Sequence, residues 1–269
     1  MQQCPVSVVI PCYRGINTIE RAVSSVMAQT VLPMEIIIVE DCSSDENQTW
    51  TMLLSIREKH GEIIKLLRHE ENQGAGPARN TGWNAAKGEY IALLDQDDAW
   101  HPQKLEIQYA FLKNHRDADL VGCPVKWLRE EYLPDVVLPR FSKLQKLHIL
   151  FANPFFTSSI VLKADIPLRF PKLAGAEDYY LWISLVCKNY IFYFCDVPLS
   201  FMFKPPFGVS GLGADIYFMS QKSREAFQML REGGVLSNSE HTFLLLIDKL
   251  KMPIRKIRAR RYRNLSKKD

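Results

Sequence analysis

The segment from Tyr90 to Asp98 is the most constraining part of this chain, because an apolar run ends directly in three carboxylates. A run of this length predicts a buried strand of a parallel sheet, and ligands of open α/β sheets bind outside the carboxyl ends of strands. Side chains alternate along a strand, so Asp95 and Asp97 are predicted to point the same way. Two hard oxygen donors favour Mg2+ or Mn2+ over zinc. Asp98 either joins them or begins a helix whose first turn holds Pro102.

Short apolar segments alternate with helical patterns through the first 115 residues. The predicted strands are 6–10, 35–39, 63–67 and 90–94, and the first two predicted helices are 17–29 and 47–60. This alternation predicts right-handed βαβ units in an α/β fold, with a Rossmann-like, mainly parallel sheet flanked by helices. Beyond residue 115 prolines break the pattern into short pieces, and we expect this half to pack on the same sheet. A length of 269 residues with 47% hydrophobic content predicts one domain with appendages.

The net charge of +4 conceals a basic C-terminal segment. Residues 249–269 contain ten Lys or Arg and one acid, so residues 1–248 carry 24 bases and 29 acids. Leu250, Ile254, Ile257 and Leu265 fall near one helical face among the arginines, a pattern typical of a helix on anionic lipid. A solvated tail is the alternative. Nucleic acid is not expected as a partner, because the acidic body and a lone tail tyrosine give bases no stacking platform.

Cysteine usage and the first residues predict a cytoplasmic protein. The six cysteines show no CxxC pair and no zinc-type spacing, as expected of reduced thiols. The chain begins with a predicted strand rather than a secretory leader, and its longest uncharged run is too short to span a bilayer. We therefore expect a peripheral protein at the inner face of the cell membrane, bound there through its basic tail.

Gly74-Ala75-Gly76 looks like the start of a dinucleotide-binding fingerprint, but Arg79 stands where the third glycine belongs. The segment also follows the third predicted strand rather than the first, so NAD binding is not predicted. Arg79 is instead predicted to lie one turn into a helix. From there its planar and permanently charged side chain can reach a diphosphate. A surface arginine is the alternative interpretation.

Four motifs occur in an order that makes a family recognisable. They are Val8-Val9-Ile10-Pro11-Cys12-Tyr13, Ile38-Val39-Glu40-Asp41-Cys42-Ser43-Ser44-Asp45, Asn72-Gln73-Gly74 with Ala78-Arg79-Asn80-Thr81-Gly82, and Leu94-Asp95-Gln96-Asp97-Asp98. Each motif is weak alone. In this order and spacing they strongly resemble the GT-A glycosyltransferases of family 2, over residues 6 to about 204.

The resemblance implies a nucleotide-sugar site at the ends of the first strands. The implied substrate-binding residues are Pro11 and Tyr13 beside the base, Asp41 on the uracil ring with Glu40 as its paired acid, Arg79 near the nucleotide, and Asp95 at ribose or a metal-held water. The implied metal ligands are Asp97 and Asp95. The implied cofactor is Mn2+ or Mg2+ on the diphosphate of a UDP-sugar. Such an ion neutralises the charge that grows on the leaving group.

The same resemblance implies a catalytic pair at the start of a later helix, here Glu177 and Asp178. It makes Asp178 the base that takes the proton of the acceptor hydroxyl, with inversion at the anomeric carbon. A helix N-terminus stabilises a carboxylate as the anion, whereas apolar neighbours raise its pKa toward that of a usable base. Plain helix capping is the alternative role of both acids.

The resemblance divides the chain into three parts. Residues 1–115 would bind the nucleotide sugar, 116–235 would hold the acceptor and the base, and 236–269 would form a C-terminal helix with the basic tail. The implied activity is metal-dependent transfer of a hexose or N-acetylhexosamine to a lipid-linked saccharide, in surface polysaccharide assembly such as O-antigen or capsule. A nucleotidyltransferase and a catalytically silent nucleotide-binding homologue stay open as alternatives.

Three departures from the family pattern bear on the site. Cys42 stands where a glycine is usual, Arg14 stands where Asn is common, and residues 201–206 lack the histidine that some members place near the metal.

The aromatic side chains of Phe151, Phe155 and Phe156 either pack in the core or form a platform for the acceptor.

Overall fold

The computed structural model describes residues 2–128, 138–205, 209 and 212–266. The strands in this part of the chain are β1 (Gln3–Cys12), β2 (Leu32–Glu40), β3 (Ile64–Arg68), β4 (Tyr90–Leu93), β5 (Asp98–Trp100), β6 (Leu120–Gly122), β7 (Val125–Trp127), β8 (Phe141–Leu144), β9 (Val161–Lys163), β10 (Phe192–Cys195) and β11 (Ser200–Met202). Eight of them form one sheet in the order β3-β2-β1-β4-β9-β6-β10-β8, and β5-β11-β7 form a second, smaller sheet.

Helices cover both faces of the large sheet. They are α1 (Ile19–Met27), α2 (Gln48–His60), α3 (Ala75–Ala85), α4 (Lys104–Asn114), α5 (Lys146–Phe151), α6 (Glu177–Cys187), α7 (Ile216–Glu232) and α8 (Asn238–Ser266). Apolar side chains of α1, α2 and α4 pack on one face, and those of α5 to α8 pack on the other together with Trp83 of α3. The predicted α/β fold with a mainly parallel sheet and flanking helices is therefore confirmed.

The first strands are apolar on both faces because both faces are covered. Val8 and Ile10 of β1 face the α1 and α2 side, whereas Val9 faces the α3 and α6 side. In β2 the same alternation sends Ile36 and Ile38 to the α1 and α2 side and packs Ile37 in a small cluster with Ala78 of α3. Continuous apolar runs are expected of parallel strands that are buried in this way.

Four strands of the later residues complete the large sheet, while β7 and β11 pair with β5 in the small sheet. Strands β6 and β10 pair in parallel, while β9 runs antiparallel between β4 and β6. Strand β8 adds an antiparallel edge. These strands have three or four residues each, which is why their apolar pattern was too short to predict from sequence.

A topological switch point lies between β1 and β4. From β1 the chain moves outward to β2 and β3 and then returns to place β4 on the other side of β1. The crossovers therefore leave β1 and β4 in opposite directions, which opens a crevice at their carboxyl ends. The loops that begin at Tyr13 and at Asp95 border this crevice.

Helix α8 is the longest helix and includes Pro253 in its interior. It lies within the predicted C-terminal segment at 236–269 and packs against α7 and α5. Within the described residues, no helix combines the length and the apolar character needed to cross a membrane.

Candidate active site

Hydrogen bonds tie the two loops at the switch point together. The backbone N–H of Tyr13 donates to Gln96 Oε1 at 2.9 Å, and Gln96 Nε2 donates to the Tyr13 carbonyl at 2.8 Å. Strand β4 ends at Leu93, and Gln96 lies in a turn in which the Asp98 backbone N–H donates to the Asp95 carbonyl at 3.0 Å, so the strand alternation predicted for residues 95–97 does not extend to them. The two bonds of Gln96 to Tyr13 fix the strand ends relative to one another. Pro11 is buried in β1, while the Tyr13 ring is 37% exposed at the mouth of the crevice.

Asp41 holds the loop that precedes α3. Its carboxylate accepts from the backbone N–H groups of Gln73 at 3.0 Å and Gly74 at 2.7 Å. His69 Nδ1 lies 2.7 Å from Asp41 Oδ1, and its Nε2 lies 2.9 Å from Thr81 Oγ1. Two consecutive N–H donors aimed at one carboxylate orient Asp41 at the edge of the crevice.

Glu40 has a different environment from the one implied by the resemblance. Its side chain is fully buried and accepts from Arg68 Nε at 2.9 Å and from the Ser43 backbone N–H. These contacts fix the turn after β2, so Glu40 acts on the crevice through the turn rather than by facing it. The Glu40 carboxylate is therefore not exposed to the substrate that it was predicted to bind.

Arg79 lies at the centre of a buried ion-pair chain. One guanidinium nitrogen donates to Asp95 Oδ1 at 2.7 Å, and the other donates to Glu177 Oε1 at 3.0 Å. Thr157 Oγ1 donates to the second Asp95 oxygen at 2.8 Å. Burial disfavours the Arg79 charge, but the charges of the two acids outweigh it and raise its pKa. The surface-arginine interpretation is wrong, because Arg79 is only 5% exposed.

Asp178 is oriented by two donors at the start of α6. Its Oδ2 accepts from Asn153 Nδ2 at 2.9 Å, and its Oδ1 accepts from the Tyr179 backbone N–H at 2.7 Å. Burial and then the adjacent Glu177 charge raise the pKa of Asp178 from 3.8 to about 6. Gly175 precedes this pair with φ +93°, a conformation that a residue with a Cβ rarely adopts.

Asp97 is paired with a lysine from a distant part of the sequence. Strands β5 and β11 pair in antiparallel register with Met202 opposite Asp98. The chain beyond β11 therefore passes Asp97, and Lys204 Nζ donates to Asp97 Oδ2. Burial lowers the pKa of Lys204, but the hydrogen bond and the charge of Asp97 have the larger combined effect and raise it.

Asp98 neither begins a helix nor lines the crevice with the other two acids. It is the first residue of β5, is buried, and accepts from Ser158 Oγ. Burial and the charges of Asp95 and Asp97 raise the pKa of Asp98 well above its usual range. The helix-opening interpretation is wrong, because α4 begins at Lys104, after Pro102.

The donor set at the strand ends fits a hard divalent cation that is shared with a substrate. Among the described residues no three His, Cys, Asp or Glu side chains cluster as a complete metal site. Mg2+ and Mn2+ in nucleotide enzymes commonly take one or two carboxylates and complete their shell with phosphate oxygens and water. Asp97 and Asp95 would supply two such carboxylates, and the diphosphate would supply the remaining oxygens.

Two departures from the family pattern coincide with unusual backbone geometry. Cys42 has φ +53° and Arg14 has φ +51°, in the left-handed region that glycine and asparagine favour. Arg14 offsets part of the strain through local contacts: its backbone N–H donates to Ser43 Oγ, and its guanidinium donates to Ser44 Oγ. The two residues thus adopt the conformation of the types that usually stand there.

The motifs in the sequence do not indicate that several residues of this network belong to the site. They are His69, Asn153, Thr157, Ser158 and Lys204. Thr157 and Ser158 lie in a short turn between α5 and β9, and Ser158 Oγ accepts the backbone N–H of Asp95 at 3.0 Å. Only the tertiary fold brings them to β4. For Lys204, the signal available in sequence was its place in residues 201–206, the segment that lacks the histidine implied by the resemblance.

The family model described as "Glycosyl transferase family 2" matches residues 7–163, which is more than half of the chain. The chain belongs to glycosyltransferase family 2. This match includes the switch-point loops and Arg79 but ends before Glu177 and Asp178, so the base assignment is not covered by it.

Two curated relatives are similar to this family 2 glycosyltransferase over most of their own length. The glucosyltransferase WfgD of Escherichia coli is 32% identical over 188 residues, which is 69% of this chain and 71% of WfgD. TuaG of Bacillus subtilis, assigned to teichuronic acid biosynthesis, is 43% identical over 196 residues, 70% of this chain and 74% of TuaG. An uncharacterized glycosyltransferase of Rickettsia conorii is 30% identical, but the match spans only 31% of its length.

Solved structures share the fold at low sequence identity. S. aureus TarS in complex with UDP-GlcNAc has a TM-score of 0.66 at 20% identity, over 91% of this chain and 70% of that one. The mannosyltransferase PcManGT of Pyrobaculum calidifontis, in complex with GDP-Man and Mn2+, has a TM-score of 0.65 at 17% identity, over 92% and 70%. The GT-A fold of this family 2 glycosyltransferase extends well beyond the residues that the family model matches.

Proposed function

We propose that this glycosyltransferase moves a hexose or N-acetylhexosamine from a UDP-sugar to a hydroxyl of a lipid-linked saccharide, with inversion at the anomeric carbon. The observation that carries the proposal is the ion-pair chain Asp95, Arg79 and Glu177. It connects the carboxylates at the switch point to the helix that bears Asp178. On this proposal residues 1–115 bind the donor, and residues 116–235 bind the acceptor and hold the base.

The nucleoside would lie between Tyr13 and Asp41. The exposed Tyr13 ring offers a face for the uracil ring beside Pro11. Among the described residues, Asp41 Oδ2 accepts one hydrogen bond, from Gly74, which would leave a lone pair for the uracil N–H. Glu40 supports this arrangement from behind, through the turn after β2.

Asp178 would act as the base. In the proposed step its carboxylate takes the proton of the acceptor hydroxyl as the hydroxyl oxygen attacks the anomeric carbon. The bond from that carbon to the diphosphate oxygen breaks, and its electron pair leaves with the UDP. A pKa of about 6 supports the role, because such a group is ionised at neutral pH and still basic enough to accept a proton. Asn153 and the Tyr179 N–H would hold its oxygens in place.

The diphosphate end of the donor would lie against Asp97 and Asp95. Mn2+ or Mg2+, when bound there, would neutralise the charge that grows on the departing diphosphate. This chain supplies a further cation, because Lys204 contacts Asp97 and is positioned to turn toward a phosphate. Arg79 is held between two acids, so we propose that it positions Asp95 and Glu177 rather than binding the diphosphate itself.

The named relatives support the acceptor class. The name of the E. coli relative describes transfer from UDP-Glc to GlcNAc-diphosphoundecaprenol, a saccharide on a lipid diphosphate. TuaG is assigned to teichuronic acid synthesis, and TarS was solved with UDP-GlcNAc. We propose that this chain acts in the assembly of a surface polysaccharide such as O-antigen or capsule, at the cytoplasmic face of the membrane with its basic tail on lipid.

Transfer from UDP-glucose and UDP-N-acetylglucosamine tests the proposal, with a GlcNAc-diphospholipid analogue as acceptor and with Mn2+, Mg2+ or EDTA. UDP release is expected with at least one donor, and EDTA is expected to abolish it. Asp178→Asn is expected to lower kcat by about a thousandfold while UDP affinity stays unchanged, because the variant keeps the shape but not the basicity.

The matched control is Asp165→Asn, since Asp165 is an exposed acid in the turn after β9. It is expected to keep full activity. Normal turnover by Asp178→Asn would contradict the base assignment. UDP binding without transfer or hydrolysis, across all donors and both metals, would instead favour the catalytically silent homologue.

A further inference from the structure

Helix α8 carries a stripe of large apolar side chains on its solvent side. At 3.6 residues per turn, four aliphatic residues spaced by three or four positions fall on one face. Each of them is more than half exposed, at 53% for Leu246, 61% for Leu250, 53% for Ile254 and 68% for Ile257. Apolar residues normally scatter singly on a surface, so an ordered row of them marks an interaction face.

The opposite side of α8 is fixed to the body, so the stripe cannot turn inward. Leu244 and Ala259 are buried on that side. Asp248, also buried, accepts from Ser220 Oγ at 2.6 Å and pairs with Arg224 and Arg255. The orientation of the helix is thus set by a buried polar anchor as well as by apolar packing.

Basic side chains border the stripe on both sides. By helical position Lys249, Lys256 and Arg260 lie along one edge, and Lys251 and Arg258 lie along the other. Lysine stems with charged ends beside apolar side chains match the boundary between acyl chains and anionic headgroups. The helix therefore has the charge that an anionic lipid surface complements.

Exposed aromatic residues from neighbouring helices extend the same face. Lys251 lies 4.1 Å from the ring centre of Phe151 on α5, and Lys256 lies 5.1 Å from that of Tyr217 on α7. Both rings are more than half exposed. A cleft of about 320 Å³ beside this edge is lined by Tyr217, by the bases Lys256, Arg260 and Arg263, and by one acid, Asp215. The excess of bases suits an anionic headgroup.

This face adjoins the proposed base. Phe151 ends α5, and two residues later Asn153 donates its side-chain hydrogen bond to Asp178. Leu147, on the same short helix, is 61% exposed. A surface that holds α5 at the bilayer would therefore bring the lipid side of an acceptor toward Asp178.

We propose that the outer face of α8, with Leu147 and Phe151 of α5 and Tyr217 of α7, docks on an anionic lipid bilayer. The docking is supported by the exposure of the apolar stripe, by its helical spacing and by the charge of the bordering bases. Its link to the acceptor rests on the proposed function. We define the docking face as Leu147, Phe151, Tyr217, Leu246, Leu250, Ile254, Ile257 and the bases that border them.

Vesicle flotation of the full chain tests the proposal. With phosphatidylcholine vesicles that contain about 30% phosphatidylglycerol, the protein is expected to float, and less so in high salt. Replacing both Leu250→Glu and Ile257→Glu is expected to lower the partition coefficient more than about tenfold, since two inserting side chains become charged. Lys249→Gln with Lys256→Gln is expected to lower it about fivefold for each base removed.

The matched control is Leu54→Glu, a less exposed leucine on α2, beside the β3 edge of the sheet and far from β8. It is expected to float like the parent chain. All variants are checked for a UDP-induced rise in Tm. Flotation lost with UDP binding kept would locate the defect in the docking face, because the donor site would be intact.

Four outcomes would overturn the docking proposal. Three are no flotation of the parent chain, flotation of the Leu250→Glu and Ile257→Glu variant equal to that of the parent, and binding to pure phosphatidylcholine in high salt equal to that on anionic vesicles. The fourth is a dimer in light scattering that the double variant no longer forms, since that would assign the face to a second copy. A chain that floats but neither binds UDP nor cleaves any UDP-sugar would refute the proposed function and leave the docking face standing.

Discussion

At the residue scale, the chemistry of the site is decided by what surrounds each charge. Arg79 is identified by its motif, yet its partners lie at residues 95 and 177, which no local pattern connects. A buried guanidinium between two carboxylates stays charged and is held in place by both. Removal of either carboxylate would leave an unpaired charge in the core, which is strongly destabilising. Arg79 thereby holds the start of α6 at the crevice.

The raised pKa of Asp178 makes a prediction about stability and pH. Between pH 3.8 and about 6 the unfolded chain releases this proton while the folded chain keeps it. The free energy of unfolding therefore falls as pH rises through this interval, by about 1 to 3 kcal/mol in total. Asp178→Asn is expected to raise Tm at pH 7 and to leave it nearly unchanged at pH 4, as measured by calorimetry.

The same group predicts the pH dependence of turnover. Because the base must be ionised, kcat is expected to fall about tenfold per pH unit below its pKa.

Asp165→Asn provides the comparison for the thermal measurements, since its carboxylate is exposed. A Tm for Asp178→Asn that exceeds the parent by as much at pH 4 as at pH 7 would refute the assignment of this pKa.

At the scale of elements, helix ends and helix faces position the functional groups. Helix α6 is buried along most of its length through Leu181, Trp182 and Leu185, so its first turn, with the two acids, is held firmly at the crevice. Helix α8 depends on fewer contacts. Its polar anchor at Asp248 joins it to α7.

Removal of this anchor is expected to loosen α8. Asp248→Ala would leave Ser220 and two arginines without their shared acceptor, at a cost of about 2 kcal/mol or more, discounted because the arginines reach solvent. Urea unfolding measures the loss, and limited proteolysis reports whether α8 is cut first. Glu232→Ala, an exposed acid at the end of α7, is the control and is expected to change stability little. Equal stability of the two variants would contradict the anchor.

At the scale of the whole molecule, the small sheet brings the end of β11 to the carboxyl end of β4. The antiparallel pairing of β5 and β11 delivers Lys204 to Asp97 across more than a hundred residues of sequence. The ammonium group occupies one carboxylate oxygen that a divalent ion would use. Metal binding and the position of the segment after β11 should therefore depend on each other.

Substitution of this lysine tests that dependence. Lys204→Met is expected to tighten Mn2+ binding in the absence of nucleotide by up to about fivefold, a modest effect because the pair is partly exposed. It is expected to weaken the binding of UDP with Mn2+, since a cation near the phosphates is lost. Electron paramagnetic resonance of free Mn2+ measures the first effect, and calorimetry measures the second.

The control is Lys59→Met, which breaks an exposed lysine–glutamate pair between α2 and α1. It is expected to leave Mn2+ binding unchanged. If Lys204→Met bound Mn2+ no better than Lys59→Met, the two cations would not compete for Asp97.

The sequence alone determined the fold class and placed several acids directly after predicted strands. The apolar runs in β1, β2 and β4 predict a parallel sheet because buried strands need apolar residues on both faces, and acids placed directly after them must lie at one edge of that sheet. The tail pattern at Leu250, Ile254 and Ile257 is equally local, since helical spacing alone puts these residues on one face. Leu265, predicted to share that face, is half-buried instead.

Only the tertiary structure decided which groups meet. Asn153 and Lys204 are ordinary residues whose partners Asp178 and Asp97 lie 25 and 107 positions away. Phe155 packs in the core against Trp182, whereas Phe151 is exposed beside α8, although only four positions separate them in sequence. The physical reason is that local spacing determines periodic structure, whereas burial, pairing and pKa depend on contacts between segments that the chain brings together only when it folds.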